Sequence, residues 1–400
     1  MAFRLALAGV VLLAAPAAHA QIPQGDEFPV HAPSAGPQHD ARVAGQASGG
    51  FVVAWSSRAN AGAASDVLVR RFGSDGMPLG GEVPAHATPD GFQNAPSLAG
   101  RADGRFVVAW ESYLVSANSS DVYARVFDSA GVAVAPEFVV HTATTGAQGM
   151  AAVGMAPSGD FFVAFLDVDP GGGNNAIRGR AFGSDGTPAA PDFSVSNDTT
   201  RTHGNPTVAA DGSGRYVVVW LAMNQSFQSQ IVARRFDSAG AALGGEIPVS
   251  TPAFGSSFPA VAAAPDGRFL AVWGNQGRAF DANGAPVGSA FTVPQNPAAS
   301  QNFPELAWDG AGFLVAWASA SGAVVGRQFS STGLALAAEF PVSATATGTN
   351  FPNPAVGGST GGRGVVAWQV DAGAPGPANL DIRARGFLSD LLFRDGFQGG

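Results

Sequence analysis

Arg-x-Phe recurs seven times along this 400-residue chain, at Arg70-Phe72, Arg125-Phe127, Arg180-Phe182, Arg234-Phe236, Arg278-Phe280, Arg327-Phe329 and Arg385-Phe387. Twelve residues after each of the first six arginines stands a second phrase: Glu82-Val83, Glu137-Phe138, Asp192-Phe193, Glu246-Ile247, Ala290-Phe291 and Glu339-Phe340. The seventh copy of that phrase, Glu27-Phe28-Pro29-Val30, lies at the other end of the chain. A tandem repeat with one unit split between the termini is what a closed ring of identical units requires.

Each unit also carries a five-residue apolar run ending in an aromatic: Phe51 to Trp55, Phe106 to Trp110, Phe161 to Phe165, Tyr216 to Trp220, Phe269 to Trp273, Phe313 to Trp317 and Gly364 to Trp368. Short runs of this kind between Gly-rich turns read as buried strands. A weaker strand with Val or Leu at 43, 98, 153, 208, 261, 306 and 356 precedes each. Four strands per unit follow: A (Val43 type), B (Trp55 type), C (Arg-x-Phe) and D (Glu-Phe-Pro-Val). Proline orders them, because it removes a ladder donor and is confined to sheet edges or strand starts. Pro96, Pro206, Pro259, Pro304 and Pro354 fall in A, and Pro29, Pro84, Pro248 and Pro341 in D, whereas B and C have none. The prediction is an all-β seven-bladed β-propeller of antiparallel A-B-C-D blades over residues 26–387, with the N-terminal D strand completing the blade of residues 354–387. Glu27 to Val30 is expected to run beside Asp381 to Phe387, with Arg385 near Glu27.

Residues 1–20 read as a secretory signal peptide, with Arg4, an apolar stretch from Leu5 to Ala15 and an Ala18-His19-Ala20 cleavage site. Location in the periplasm or outside the cell, with no transmembrane segment, is the expectation. The chain has no cysteine, so packing alone must hold the ring. A formal charge of −9 without basic blocks argues against nucleic acid as a partner. The basic residues are all Arg, which reads as compositional bias.

The interval from strand B to strand C varies (15, 15, 15, 14, 5, 10 and 17 residues), while the A–B and C–D intervals are nearly constant. The B–C and D–A loops share one face, which is therefore the candidate for function. The repeating charges read as structural cross-strand pairs: Arg70 with Glu82, Arg125 with Glu137, Arg180 with Asp192, Arg234 with Glu246, Arg327 with Glu339 and Arg385 with Glu27, each contributing about 0.2–1 kcal/mol. His31, His86 and His141 follow strand D in successive blades, too far apart for one metal. Asp167, Asp169 and Asn174 on one B–C loop offer oxygen donors that a calcium ion takes, though Asp, Asn and Gly are equally turn formers. No other cofactor is indicated. Phe258, Phe303 and Phe351, each just before a strand A, and Tyr113 and Phe227 on the variable face are the candidate ligand-binding residues, with blade-to-blade packing the alternative for the three Phe.

The repeat resembles secreted bacterial propellers built from tandem Gly-x-Phe-Val-Val-Ala-Trp and Arg-x-Phe units, over residues 27 to 387. The tail Leu391-Leu392-Phe393-Arg394-Asp395-Gly396-Phe397, within residues 388–400, is similar to a short terminal tag of exported proteobacterial proteins. The resemblance implies export and brings no activity. The WD, sialidase-type and integrin-type repeat signatures are missing. The expected function is a monomeric, non-catalytic binder of a protein, peptide or glycan through the variable face. The alternative is a hydrolase or lyase using loop carboxylates on that face, and a structural surface protein is a third reading.

Overall fold

The computed structural model describes residues 21–389 except 34–35, 60–62, 88–90, 115–118, 144, 255–257, 297–300, 350–351, 360 and 372–379. Seven antiparallel sheets form a ring, each in the order A-B-C-D. Blade 1 comprises Gln38–Gly45, Phe51–Arg58, Ser65–Phe72 and Val83–Pro84. Blades 2 to 6 repeat it from Phe92, Gln148, Thr202, Pro259 and Gln301. Blade 7 takes Ala355–Gly358, Arg363–Asp371 and Leu380–Ser389 from the C-terminal end and Gln21–Pro29 from the N-terminal end. The described residues contain no helix, and so none long and apolar enough to cross a membrane.

The alternation of B and C side chains explains why the ring holds. Each blade turns one apolar face to its predecessor and the other to its successor, giving seven core clusters, one per interface. Trp55 and Val53 pack with Ala367 and Ile382 between blades 7 and 1; Trp110 and Val108 pack with Val52 and Val67 between blades 1 and 2. At the strand B entrance the first aromatic stacks on the Phe of Arg-x-Phe, with ring centroids 4.9 Å apart for Phe51–Phe72 and 4.8 Å for Phe106–Phe127. The indole N–H of Trp55 donates to Gln38 Oε1 at 2.8 Å and that of Trp110 to Gln93 Oε1 at 2.9 Å, so the buried donors are satisfied.

The repeating charges work differently from the expected pairs. Arg125 Nε donates to Ala135 O within its own blade, and Nη1 donates to Ala85 O of the preceding blade at 3.3 Å. Arg70, Arg180, Arg234 and Arg327 repeat this fork onto Val30, Val140, Val195 and Val293. The acids reach the same neighbour: Glu82, Glu137, Asp192, Glu246 and Glu339 accept from the backbone N–H of Ala32, Ala87, Thr142, Asn197 and Gln295. The correction is geometric. Both side chains lie at the outer rim, where the nearest unsatisfied backbone groups belong to the end of the previous strand D, so they staple blade to blade. Asp192 does form an ion pair, but with Arg178 at 2.6 Å.

This fork also gives the all-arginine usage a structural side. Each guanidinium spans two carbonyls while lying over its own Phe ring, as with Arg125 and Phe127 at 5.7 Å. A lysine offers one point charge and no planar face. Arg125→Lys should therefore cost about 1–2 kcal/mol in chemical denaturation; a variant as stable as the wild type would show that the staple contributes nothing.

Ring closure follows the expected pairing, strand Gln21–Pro29 running antiparallel beside Leu380–Ser389 with Glu27 at the level of Arg385. Phe28 faces Ala384 and Pro29 faces Arg383, a bulge lies between Gln24 and Phe28, and the pairing continues to Gln21 opposite Ser389. The ring thus uses residues beyond the expected 26–387 at both ends. Arg385 Nε donates to Gly25 O at 3.1 Å rather than meeting Glu27, and Glu27 accepts from Ala344 N of blade 6. The within-blade half of the motif thus ties the two chain ends together, and Glu27 supplies the link to blade 6; at the seam of blades 4 and 5, where Ala290 stands in the acid's place, Arg278 Nη1 alone reaches Val249 O.

Candidate functional site at the channel mouth

Strand A lines the central channel, and its first half opens on the face of the B–C and D–A loops. Three residues before the strand A Val or Leu, the described backbone turns in six blades into the left-handed region at a residue that is not glycine. These are Asp40 (φ 56°), Ala95 (48°), Met150 (49°), Asn205 (51°), Phe303 (52°) and Asn353 (38°). In blades 1, 2, 3, 4 and 6 the A–B register slips at this point, the signature of a β-bulge. Left-handed φ is nearly free for glycine and costs other residues on the order of 1 kcal/mol. This chain has 54 glycines and places many of them at positive φ in its turns, but none of them at these six positions. A uniform backbone device therefore presents a side chain that differs from blade to blade.

A cup of about 280 Å³ lies inside this ring. Its rim is apolar except for Asn205 and Asn353: Phe258 and Phe303 tilt against each other with centroids 5.3 Å apart, Met150 lines the same rim, and Pro96, Pro206, Pro259, Pro304 and Pro354 fill the wall. Phe258 is 47% exposed and Met150 46%. Deeper, at the boundary with a narrower 180 Å³ space in mid-channel, lie Arg42, Thr207 and Glu305. The opposite mouth, about 570 Å³, is walled by the uniform A–B turns, including Gln46, Asp103 and Asp211.

Charge at the cup is shared unevenly. Burial pushes the Glu305 carboxyl above its ordinary value, opposed by Arg42 and by the Leu306 amide it accepts. Asp40 is half-buried, which opposes ionisation, but its contact with His39 Nδ1 at 2.8 Å and the nearby Arg42 and Arg58 hold its carboxyl below the usual range. Arg42 thus serves two carboxylates on either side. Because the folded value of Glu305 is raised, folding favours the protonated acid, and that contribution is lost as pH rises from the ordinary 4.5 through the folded value. Glu305→Gln removes the dependence, so the melting temperature of the variant relative to wild type should rise between pH 4 and pH 8. A difference flat across that range would mean that the carboxylate is not desolvated.

The sequence candidates divide. Phe258 and Phe303 meet at the mouth, and Phe351 lies outside the described residues. Tyr113 sits on blade 2 beside Phe92 (6.5 Å), and Phe227 projects, 73% exposed, from the blade 4 hairpin; neither lines the cup. The calcium candidates each have a separate partner: Asp167 accepts from Gln148 Nε2, Asp169 from Gly171 and Gly173 N–H, and Asn174 donates to Thr199 O. Among the described residues no three His, Cys, Asp or Glu converge as metal ligands. His31, His86 and His141 each meet an aspartate at the head of strand C, namely Asp381, Asp66 and Asp121, at 3.2, 3.2 and 3.3 Å. Sequence reasoning missed Arg42, Met150, Asn205, Glu305 and Asn353. They are legible as two columns, one and three residues before the strand A apolar residue, where the repeat keeps its spacing but not its residue type.

No protein-family model matches the chain, and no curated protein matches it. Among solved structures, one of a protein of unknown function from Dyadobacter fermentans is similar over 93% of this chain and 99% of its own, at 11% identity and a TM-score of 0.56. The α-L-arabinanase of Penicillium chrysogenum, complexed with arabinobiose, is similar over 91% of this chain and 98% of its own, at 12% identity and a TM-score of 0.50. Identities this low speak for the fold alone.

Proposed function

We propose that this chain is an exported, non-catalytic binding protein that holds a ligand at the channel mouth on the variable-loop face. The observation that carries this reading is the ring of left-handed residues. Structural need explains the bulge, and Asp40, Asn205 and Asn353 are residue types that tolerate it, but Met150 and Phe303 accept strain where glycine would be free, and so place large apolar side chains at the mouth. Export rests on the leader sequence of residues 1–20.

A catalytic reading finds less support. Glycosidic hydrolysis takes two carboxylates about 5–9.5 Å apart across one ligand. Glu305 is the single acid lining the cup among the described residues; of the nearest others Asp40 is paired with His39 and Glu111 accepts from Met150 N, and Asp66, Asp121, Asp167 and Asp198 on the surrounding face are engaged by His86, His141, Gln148 and Arg201. The propeller fold itself hosts both binders and enzymes, so it does not decide.

The test separates strain from use. Met150→Gly should melt within about 2 °C of wild type or above it, because relief of the left-handed strain offsets the entropy of glycine. On peptide and oligosaccharide arrays the same variant, and Phe258→Ala, should lose the ligand that the residue 21–400 protein retains. Array binding indifferent to both changes would remove the mouth as the site.

A further inference from the structure

We propose that the mouth face over blade 5 binds a neutral polysaccharide chain, with sugar rings against Trp273 and Phe227. This rests on the reading above, because the exposed Phe258 at the cup forms the inner end of the same surface.

Loop length shapes the surface. Strand B of blade 5 ends at Trp273, which faces Gln276 in the last pair of its hairpin. The blade 4 hairpin continues three pairs beyond Trp220, to Met223 opposite Ser229, and so stands about 10 Å taller. On the other side, the blade 6 hairpin continues one pair past Trp317 before its turn at Ser319. Blade 5 is therefore a step between two taller walls, and its floor is aromatic. Trp273 is half-buried, whereas Trp55, Trp110, Trp220, Trp317 and Trp368, at the same place in five other blades, are buried. The loop that leaves blade 4 pairs Ala253–Phe254 with Gln228 and Ser229 and then leads to Phe258 at the cup.

The tip of the blade 4 wall carries a strained aromatic. In the A–B and C–D turns the N–H of the first residue donates to the carbonyl of the fifth, and the N–H of the fourth donates to the carbonyl of the first. Gly49, Gly76 and Gly131 hold that fourth place, at φ 84°, 79° and 79°. The blade 4 hairpin closes with the same two bonds, Asn224 N to Gln228 O and Phe227 N to Asn224 O, each at 3.0 Å, but its fourth residue is Phe227, at φ 59°. Left-handed φ is an outlier for a bulky side chain. Phe227 is 73% exposed, so packing within the chain does not offset the strain, and the ring is held out for an external partner.

Charge selects the class of that partner. Residues 220–233, 247–265, 269–277, 291–304, 310–326 and 340–362, which hold the mouth-face loops from blade 4 round to blade 7, contain no Asp, Glu, Arg, Lys or His. Between strands B and C, blades 7, 1, 2 and 3 carry Asp371, Arg58, Glu111 and Asp167. A protein partner presents about 20–30 residues, roughly a quarter of them charged, and on the uncharged half those charges would meet no counterpart. A neutral sugar chain brings none. Its C–H faces lie against aromatic rings, and its edge hydroxyls need small donors and acceptors, which the exposed Gln225, Ser226, Thr251 and Ser321 supply.

The experiment is electrophoresis of the residue 21–400 protein in native gels cast with hydroxyethyl cellulose, galactomannan, dextran or arabinoxylan, and with carboxymethyl cellulose or polygalacturonate as charged counterparts. At least one neutral polymer is expected to retard the protein, and the charged ones to retard it less. Phe227→Gly installs the residue that the other turns use, so it should fold as well as wild type while weakening retardation roughly tenfold. Trp273→Ala should weaken it by a similar factor. Retardation by a neutral polymer that depends on Phe258 but survives Phe227→Gly or Trp273→Ala confines the site to the cup and overturns this inference alone. Stronger retardation by the charged polymers, or none by any of the six, also overturns it, and the cup then stands or falls on the Phe258→Ala array result. Loss of retardation in Phe227→Gly and Trp273→Ala, with Phe258→Ala without effect, would support the blade 5 surface and remove the cup.

Discussion

Removing residues 21–31 should lower the melting temperature by on the order of 10 °C or more, whereas removing 390–400 should leave it unchanged. The first deletion takes away the whole outer strand of blade 7. Phe28 then no longer packs on Phe51 and Phe72, whose ring centroids lie 6.0 and 5.8 Å away, and the fully buried Val30 is lost. A buried apolar side chain contributes about 1.5–3 kcal/mol. The deletion also ends the pairing from Gln21 opposite Ser389 to Pro29 opposite Arg383 and leaves that edge of strand C open. Val30 O, which accepts the Arg70 fork, disappears with it, and Ala32, whose N–H donates to Glu82, becomes the chain end, so the staple on blade 1 loses its arginine half as well. The second deletion begins just after Ser389, the last residue of strand C, which is buried. Differential scanning calorimetry of both truncations decides the matter; equal melting temperatures would mean that the ring does not depend on closure.

The ring was legible because its periodicity is redundant. Seven copies of strand B and of Arg-x-Phe fix the number of blades, and proline in A and D fixes their order, so an ambiguity in one unit is resolved by the other six. The partners of the recurring charges were not legible in the same way. A spacing of twelve residues between Arg70 and Glu82 describes the hairpin that contains both, but the open backbone groups they satisfy belong to Val30 and Ala32, in another blade and far away in sequence. The candidate site escaped for the opposite reason. Attention to what recurs hides a position whose backbone recurs while its residue changes, and Asp40, Met150, Asn205 and Asn353 carry no motif. Phe258 and Phe303 stood out, with Phe351, because three successive blades carry a Phe just before strand A. The left-handed backbone beneath the column has no sequence mark, since the residues that would announce it, glycines, are the ones this chain does not use there.

Asp309→Asn should be the most damaging single substitution at the seam between blades 6 and 7, costing about 3 kcal/mol. Asp309 is fully buried and accepts four N–H donors: Ala311 N at 2.9 Å, Gly312 N at 2.8 Å, Gln328 Nε2 at 2.8 Å and Gln21 Nε2 at 3.0 Å. Burial pushes its carboxyl above the ordinary value while these donors pull it back. An ionised carboxylate is an acceptor on both oxygens, so each donor finds a lone pair. An asparagine in the same place must turn its amide N–H groups toward two of the four donors, leaving them unpaired in a site without room for water to enter freely. Gln21 belongs to the N-terminal strand, Gln328 to strand C of blade 6, and Ser389, whose Oγ donates to Gln328 Oε1 at 3.4 Å, ends strand C of blade 7. The network therefore ties both chain ends to blade 6 through one carboxylate. Because Gln21 and Asp309 share that contact, the cost of Asp309→Asn should shrink when Gln21 is already replaced by Ala, by about 1 kcal/mol or more in a double-mutant cycle of urea unfolding. Additive costs would show the two residues acting separately, and a variant within about 0.5 kcal/mol of wild type would remove the carboxylate from the account of closure altogether.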